Sequence, residues 1–442
     1  MIRLAMLLVG GSTFRRYWWA LPLAGVVWMA LGLFLIVDAT DGELKFTADL
    51  LGVVLALEGM LGLLGAWLAP AGMRGPLRLR AVALLVFGAA IFLPLELGDT
   101  VPDRVLFGTA FLVDGALRIA SAWVVRFERW RVALLLGLLQ VLVGIMVAGD
   151  WPLRDIYVTP MVLGVLLVSS GWAHVLIGRQ LHKLPAGASI TTLPMFYARD
   201  WRGRSETPRP HADRPASFNP PRPMTLYVWT TQGSATGAHG LPVLRRYIAA
   251  ADENGVISTG HSALEVLPDL YISHYPGVEI DHSPEDFIAL LRAGRENDIP
   301  GRWIPDHQTA LAGWVEPDQK VVFPHYDEIA LRAFWDVYRQ DSTYNLTSRS
   351  CSTVTSLAID TALEGVLGSR WPLARFISLL FDPNLWLAAL LRRRAATMAW
   401  TPGIVLDYAR ALRLLISSQQ DSWTARLSTA IRAYRHTRQP AA

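Results

Sequence analysis

The sequence predicts a polytopic α-helical membrane domain followed by a cytoplasmic α+β domain. Most of the 52% hydrophobic content of this 442-residue chain lies in apolar runs before residue 180, and several of these runs are long enough to span a bilayer. The second half is charged and alternates strand-like with helix-like patterns. It also holds the only cysteine, Cys351, where the pattern predicts the first turn of a helix.

Charge and cysteine usage exclude several classes of protein. The formal net charge of +4 is too small to indicate a nucleic-acid partner, and membrane topology explains the basic residues better. A single cysteine excludes a disulfide framework and suits a reducing compartment.

Six membrane spans are predicted within a first domain of residues 1–183. A short apolar segment at residues 4–9 superficially resembles a signal peptide, but it is too short and no small-residue cleavage site follows it. The predicted spans are residues 18–37, 48–68, 79–95, 101–123, 132–147 and 157–177.

Glycines recur along these spans at a fixed step of 56 residues. The three series are Gly32, Gly88 and Gly144; Gly52, Gly108 and Gly164; and Gly59, Gly115 and Gly171. A polar residue, Glu58, Asp114 or Ser170, precedes each glycine of the last series. Three helical hairpins in tandem, with glycines where helices approach closely, explain this repeat.

Residues 15–183 therefore resemble the HdeD-like family of small bacterial membrane proteins, which have six helices, hairpin repeats and similar glycine–acid–glycine patterns. The resemblance implies that fold and a place in the bacterial inner membrane. It also implies a link to acid-stress resistance, although the molecular activity of the family is poorly defined.

Four ionisable residues are predicted at mid-membrane depth: Glu58, Asp114, Arg118 and His174. Asp114 and Arg118 are spaced i,i+4 and can neutralise each other, while Glu58 and His174 lie at comparable depth in sister repeats. Two interpretations stay open. One is a buried polar network that fixes helix packing, and the other is an ion or proton pathway.

The second half divides into a linker, a domain and a tail. Residues 184–224 are rich in Pro and Arg, and this linker either lies on anionic headgroups or is solvated. Residues 225–420 form the α+β domain, and residues 421–442 form a basic tail. Within the domain, residues 371–391 are an apolar helical insertion that lies in the membrane interface or forms a buried hairpin.

Strands and helices of the domain follow from its patterning. Strands are predicted at 226–230, 256–267, 270–275 and 320–323. Helices are predicted at 241–251, 284–296, 326–339, from Cys351 onward, and at 401–416.

The cysteine is the candidate catalytic group of this domain. Ser350 is a suitable N-cap, and at a helix start the dipole and unpaired N–H groups favour the thiolate. The alternative is a buried cysteine that acts as a small apolar residue. A nucleophile needs a base, and His261, which follows Gly260, and His274 lie on adjacent predicted strands. Antiparallel pairing would bring the two imidazoles together, one as base and one holding its tautomer.

The order of these residues carries a second resemblance. Gly260-His261-Ser262-Ala263-Leu264-Glu265-Val266, Ser273-His274-Tyr275, and Tyr344-Asn345 through Ser350-Cys351-Ser352-Thr353-Val354 are similar to the circularly permuted papain-like fold. That group includes lecithin:retinol acyltransferase, phospholipid acyltransferases, and bacterial amidases or peptidases. Over residues 225–368 it implies Cys351 as nucleophile, His261 as base and His274 as orienting residue. Ser350 stands where many members have Asn.

Other histidines compete for these roles, and each is more typical of a surface position: His239, His282, His307 and His325. A zinc site of His261, His274 and Cys351 lacks the usual ligand spacing, so no metal and no cofactor are predicted. The backbone N–H of Cys351 is one expected oxyanion donor, and the sequence does not identify the second.

The leading hypothesis is a membrane-tethered cysteine hydrolase or acyltransferase that forms a thioester with a peptide or acyl substrate. Its expected partners are that substrate and the lipid bilayer, and the oligomeric state stays open. A peptidoglycan enzyme would need the domain outside the cell. The alternatives are a non-enzymatic stress-response protein with a binding domain, and a transporter that uses Glu58 and Asp114.

Both termini are predicted to be cytoplasmic. Ten of the thirteen Lys and Arg residues in the short loops lie on one side of the membrane, and positive loops stay inside. A reporter fused after Ala442 that is active only in the cytoplasm is therefore expected to be active. A periplasm-specific reporter that is active at the same position would reverse this topology.

Overall fold

The computed structural model describes most of the chain. Its described residues are 1–38, 101–127, 130–149, 155–185, 188–193, 217–230, 250–251, 257–278, 287–313, 315–397 and 399–420, with scattered positions between 56 and 89. Helices and strands are numbered below in chain order over these residues alone. The candidate residues Glu58, His239 and His282 lie outside them, as do the tail and most of the predicted spans 48–68 and 79–95.

Long helices occupy the four other predicted spans. They are α3 (Ala20–Asp38), α4 (Val101–Val125), α5 (Trp130–Gly149) and α6 (Asp155–His182). Two of them, α3 over residues 20–37 and α5, are long and apolar enough to cross a membrane. At 1.5 Å per residue a helix of 20 residues spans about 30 Å, which is the thickness of the hydrocarbon core. A chain with two such helices and a small sheet region is the architecture that the described residues support.

These helices pack in two pairs, α3 with α6 and α4 with α5, through glycines. An ideal Cβ placed on Gly32 would lie 2.6 Å from the carbonyl oxygen of Gly164, and one on Gly144 would lie 3.1 Å from that of Gly108. The backbones therefore touch where the sequence series predicts close approach. Small residues allow this contact because nothing projects between the helices.

The contacts repeat with the 56-residue step of the sequence. A Cβ on Gly59, Gly115 or Gly171 would meet the backbone of residue 81, 137 or 25, respectively, in a helix of another repeat. The described contacts thus join an even-numbered span to an odd-numbered span of a different repeat. The last span closes against the first, so the repeat is cyclic rather than a row of independent hairpins.

The second half contains a four-stranded antiparallel sheet. The strand order is β5 (Leu270–Ile272), β4 (His261–Val266), β1 (Met224–Trp229) and β8 (Gln319–Phe323). Two short pairs accompany it: β2 (Ala250–Ala251) with β3 (Ile257–Ser258), and β6 (His274–Pro276) with β7 (Gly301–Trp303). Residues 250–251 are thus in a strand, where the helix 241–251 was predicted, because they pair with 257–258.

Seven helices complete the described part of the domain: α7 (Phe287–Leu290), α8 (His307–Gly313), α9 (Glu328–Tyr338), α10 (Cys351–Leu363), α11 (Pro372–Leu380), α12 (Pro383–Thr397) and α13 (Pro402–Gln420). The predicted helix 284–296 is shorter, with α7 followed by a 3₁₀ turn at Arg295–Asn297. Helix α10 is central, because twelve of its thirteen residues are buried. It packs on β4, α9 and α13.

The first helix, α1 (Ile2–Val9), belongs to the core of this second domain and not to the membrane helices. Residues 4–9 are buried, and α1 packs against α10, α11 and α12. The backbone N–H groups of Gly365 and Leu367 donate to the carbonyls of Leu7 and Leu8, both at 2.8 Å. The apolar residues 4–9 therefore lie in a protein interior, where the burial of apolar surface stabilises them.

A buried carboxylate ties the end of α10 to both connections with the membrane helices. Glu364 accepts hydrogen bonds from the Ser189 hydroxyl and from the Ile190 N–H at 2.9 Å. Residues 189–190 follow α6, while Gly11, whose N–H also bonds Glu364, precedes α3. Burial raises the pKa of Glu364. The chain thus enters and leaves the membrane region from one anchored point.

The described residues among those predicted at mid-membrane depth form local contacts. Asp114 lies 3.7 Å from Arg118 within α4 and accepts a 2.7 Å hydrogen bond from Gln140 of α5 (Trp130–Gly149). The Nδ1 atom of His174 lies 2.7 Å from the Ser170 carbonyl oxygen in its own helix. The Gln140 bond links two packed helices, as a polar network that fixes packing would do.

We predict that Gly32→Ala destabilises the helix pair α3–α6. The new methyl group would lie 2.6 Å from a backbone oxygen, so the helices must separate, at a cost on the order of 1–3 kcal/mol. Thermal unfolding of the detergent-solubilised protein should show a lower Tm. Gly149→Ala is the matched control because no atom lies within 4 Å of that position. Equal Tm values for both variants would contradict the prediction.

Candidate functional site

The loop before the cysteine is held by two buried polar side chains. The Asn345 amide oxygen accepts from the N–H groups of Thr347 and Ser348 at 3.1 and 3.0 Å, and its NH₂ donates to Gly294 and Asp298. Asn345 and Arg349 also exchange backbone hydrogen bonds. The loop is therefore closed on itself and fixed to residues 294–298.

Arg349 fastens the same loop to helix α9. Its guanidinium donates to the carbonyls of Thr343 at 2.9 Å and Tyr338 at 3.2 Å, and also to that of Asp341. Its Cζ lies 4.4 Å from the centre of the Tyr338 ring, a cation–π distance. Because the side chain is buried, these contacts hold the position from which α10 begins.

Cys351 is the first residue of α10, as the sequence predicts. Ser350 is the N-cap, and its side chain accepts from the N–H of Thr353 at 3.4 Å. The thiol is buried, with 5% of the residue exposed. A serine here supplies the capping oxygen that asparagine would supply.

The environment of the thiol combines burial with hydrogen-bond donors. Burial raises the pKa of Cys351, and this effect exceeds the opposing hydrogen bonds from the backbone N–H of Ser262 and from Ser352. The Sγ atom lies 3.8 Å from the Ser352 hydroxyl oxygen. The resting group is a neutral thiol, whereas the helix dipole alone was expected to favour the thiolate.

Strand β4 meets the start of α10 through Ser262. The Ser262 hydroxyl lies 2.9 Å from that of Thr355 and donates to that of Ser352 at 3.4 Å. Gly260, which precedes β4, has φ +68°, a left-handed conformation that glycine adopts without strain. This turn and the hydroxyl contacts set the position of His261. His261 directly precedes Ser262, whose backbone N–H bonds the sulfur of Cys351.

The imidazole of His261 is buried beside aromatic rings. Its Nε2 atom lies 2.9 Å from the hydroxyl oxygen of Ser273, and its ring centre lies 4.3 Å from that of Tyr275. Burial, followed by the charge of His274, lowers the pKa of His261 to about 3. The ring is therefore neutral near pH 7 and able to accept a proton.

His274 has different partners from those that the sequence suggests. Its Nε2 atom bonds the carbonyl oxygen of Ser342 at 3.1 Å, and its ring packs 4.1 Å from Trp303 and 5.0 Å from Tyr344. The bond to the Nε2 atom of His261 comes from Ser273, and not from His274. Burial lowers the pKa of His274 to about 4.

The register of the sheet explains this arrangement. Leu264 pairs with Ile272 in antiparallel β4 and β5, so alternation directs Ser273 and Tyr275 to the face of His261 and directs His274 to the opposite face. The prediction of one strand 270–275 antiparallel to the strand of His261 holds for β5 only, because His274 lies on β6, which pairs with β7. Ser273 and Tyr275 accordingly contact the ring of His261, whereas His274 contacts Ser342.

Two tyrosines that the sequence analysis did not select as site residues also interact electrostatically with the thiol. Burial raises the pKa of Tyr275 and Tyr344, and in each case the charge of Cys351 is the next cause. Both phenols keep their protons at neutral pH and can donate hydrogen bonds. Their signal in the sequence is their place in the quoted motifs, next to His274 and Asn345 respectively.

The other described histidines lie elsewhere. The ring of His307 stacks on Tyr227 at 4.2 Å, and His325 bonds Asn219 at 2.9 Å. Among the residues for which positions are given, no group of three His, Cys, Asp or Glu side chains could hold a metal ion. Comparison with known proteins adds nothing to these contacts, because no family model, curated protein or solved structure matches the chain.

We predict that the two buried histidines make the domain acid-sensitive. Each has a folded pKa below the ordinary 6.5, so the unfolded chain binds more protons as the pH falls. Stability is lost from about pH 6.5 downward, by on the order of 3 kcal/mol per histidine between pH 7 and pH 4.

The test is the dependence of Tm on pH for the detergent-solubilised protein. The double variant His261→Gln, His274→Gln should show a flatter decline than the wild type between pH 7 and pH 4. His325→Gln, at an exposed position, is the control and should follow the wild type. An equally steep decline in the double variant would refute the assignment.

Proposed function

We propose that the second domain is a cysteine-dependent hydrolase or acyltransferase that works through a thioester on Cys351. The observation that carries this proposal is the meeting of β4 with the start of α10. The thiol at the helix start accepts the N–H of Ser262, and the preceding residue, His261, is a buried neutral imidazole. The candidate base, with an orienting hydroxyl from Ser273, is thus carried by the strand that meets the helix of the candidate nucleophile.

In the proposed reaction, His261 takes the thiol proton as sulfur attacks the acyl carbonyl carbon. The thioester bond forms while the bond to an amine or alcohol leaving group breaks, and His261 returns its proton to that leaving group. Water, or a second acceptor, then cleaves the thioester. Ser273 fixes the ring of His261, and His274 is a positioning residue that acts through its packing on Tyr344.

Transition-state charge on the carbonyl oxygen needs hydrogen-bond donors. The backbone N–H of Cys351 at the start of α10 is one donor in this proposal, since the first N–H groups of a helix have no partner within it. Tyr275 and Tyr344 are the candidates for the second, because both stay protonated and both interact with Cys351. The variants Tyr275→Phe and Tyr344→Phe distinguish these two candidates. The variant that loses kcat while it retains KM identifies the second donor.

Before substrate binds, the Cys351 thiol and the His261 imidazole are both neutral. This charge state affects how the reactivity of the thiol should depend on pH. Burial raises the pKa of the thiol and lowers that of His261, so both shifts oppose proton transfer before substrate binds. Alkylation of the free protein at low pH is therefore slow in this proposal. Trapping the acyl-enzyme separates a nucleophile from a structural thiol better than alkylation does.

Membrane attachment narrows the class of substrate. Cytoplasmic or membrane-associated acyl groups, in peptides or lipids, fit a domain that is joined to helices of membrane-spanning length. A non-enzymatic, HdeD-like stress-response protein with a binding domain is the second candidate. The Gln140–Asp114 hydrogen bond between helices favours it over a transporter, because a carboxylate that is bonded in a packing contact is poorly placed to carry ions.

We predict that Cys351→Ala abolishes turnover of a chromogenic acyl ester or amide, and that His261→Ala lowers kcat nearly as much. Members of one catalytic unit fail together. His274→Ala should reduce kcat less, and His325→Ala should leave it unchanged. The measurement is kcat for the full chain in detergent, with size-exclusion chromatography to show that each variant is folded.

Mass spectrometry of the peptide that contains Cys351 supplies an independent readout. After brief reaction with substrate, its mass should increase by one acyl group in the wild type and not in Cys351→Ala. Turnover that persists in the folded Cys351→Ala variant would exclude the proposed nucleophile.

A further inference from the structure

Helix α11 presents an apolar face to the outside of the domain. Leu373, Ile377 and Phe381 follow one another at four-residue spacing and are 44%, 55% and 60% exposed. Trp371, just before the helix, is 74% exposed. The opposite side of α11 packs into the domain core, where Leu379 is completely buried. These four exposed residues are called the α11 face below.

The α11 face lies close to the point where the chain enters the membrane. The ring of Phe376 in α11 lies 5.2 Å from that of Phe14 in α2 (Gly11–Arg16), and α3 begins only six residues later. Tyr17, Trp18 and Trp19 fill the interval, and such residues concentrate at the membrane–water interface. Helix α11 is therefore next to the interfacial end of a helix of membrane-spanning length.

The segment cannot complete a further span. Helices α11 and α12 are bent by 76° at a short break, and by length and composition the pair would suit a broken span or a re-entrant loop. Helix α12, however, buries Leu385 and Ala388 in the domain core. Its Arg392 forms an ion pair with the buried Asp360. Because α12 is fixed in the domain, α11 can reach the bilayer only from the side.

The charge around α11 matches an anionic surface. Residues 365–400 contain five arginines and one acidic residue. That acid, Asp382, is buried and accepts hydrogen bonds from Asn384 and Ser418. Arg370 and Arg393 are exposed. Burial, followed by the like charge of Arg392, lowers the pKa of Arg3 in α1. The surface beside the α11 face is thus positive, as in segments that lie on anionic headgroups.

We propose that the α11 face docks on the anionic bilayer that the chain's own helices cross, with its apolar side chains among the lipid headgroups and acyl chains. The neighbouring arginines contact lipid phosphates. The domain is then held at the membrane by this face in addition to its covalent connections. This inference is independent of the chemistry at Cys351.

The lone cysteine makes the test direct, because Cys351→Ala gives a background without thiols. In this full-length background a cysteine is introduced by Ile377→Cys or Phe381→Cys and labelled with a polarity-sensitive fluorophore. Ile329→Cys on α9, where the native side chain is 43% exposed, is the matched control. Each protein is placed in nanodiscs of phosphatidylcholine and phosphatidylglycerol, which leave both membrane faces accessible. Quenching by a spin-labelled lipid is compared with quenching by aqueous iodide.

Labels at 377 and 381 should be quenched several-fold more by the lipid quencher than the label at 329, and less by iodide. Equal quenching at all three positions would overturn the proposal. Protection from both quenchers would also overturn it, in favour of a second copy or another protein on this face. Nanodiscs of phosphatidylcholine alone should show weaker lipid quenching, and unchanged quenching there would refute the contribution of the arginines.

Discussion

The burial of α10 on almost all sides is the constraint on which the rest of the second domain depends. Its N-terminus meets β4, its sides pack against α9 and α13, and α1 closes the remaining side. Burying a large apolar side chain is worth about 1.5–3 kcal/mol, and α1 contributes five consecutive residues, 4–8, that are at most 1% exposed. A helix from the start of the chain thus completes the core around a helix near residue 351.

This burial affects ionisable groups at both ends of α10. At the N-terminus it removes water from Cys351 and His261, so both groups are neutral near pH 7. At the other end it surrounds Glu364, whose hydrogen bonds come from the segments that flank the membrane helices. The same helix therefore connects the candidate site with the membrane attachment.

The glycine repeat predicts the positions at which the long helices touch, but it does not predict which helices are partners. The 56-residue glycine step identifies where backbones touch, since a side chain at Gly32 or Gly144 would collide with the facing helix. It does not identify which helix faces which. Each repeat carries the same glycines, so the pairing is decided by how the helices assemble in space.

The sequence by itself determined the local features. The cap at Ser350, the cysteine at the helix start and a strand that begins at His261 follow from spacing and residue type over a few positions. The tertiary structure decided whatever depends on distant segments. It placed α1 in the domain core, paired Ser273 with His261, and reversed the expected charge state of the thiol. The physical reason is that burial is a property of the assembled core, and burial controls both the pKa of a group and the partners available to it.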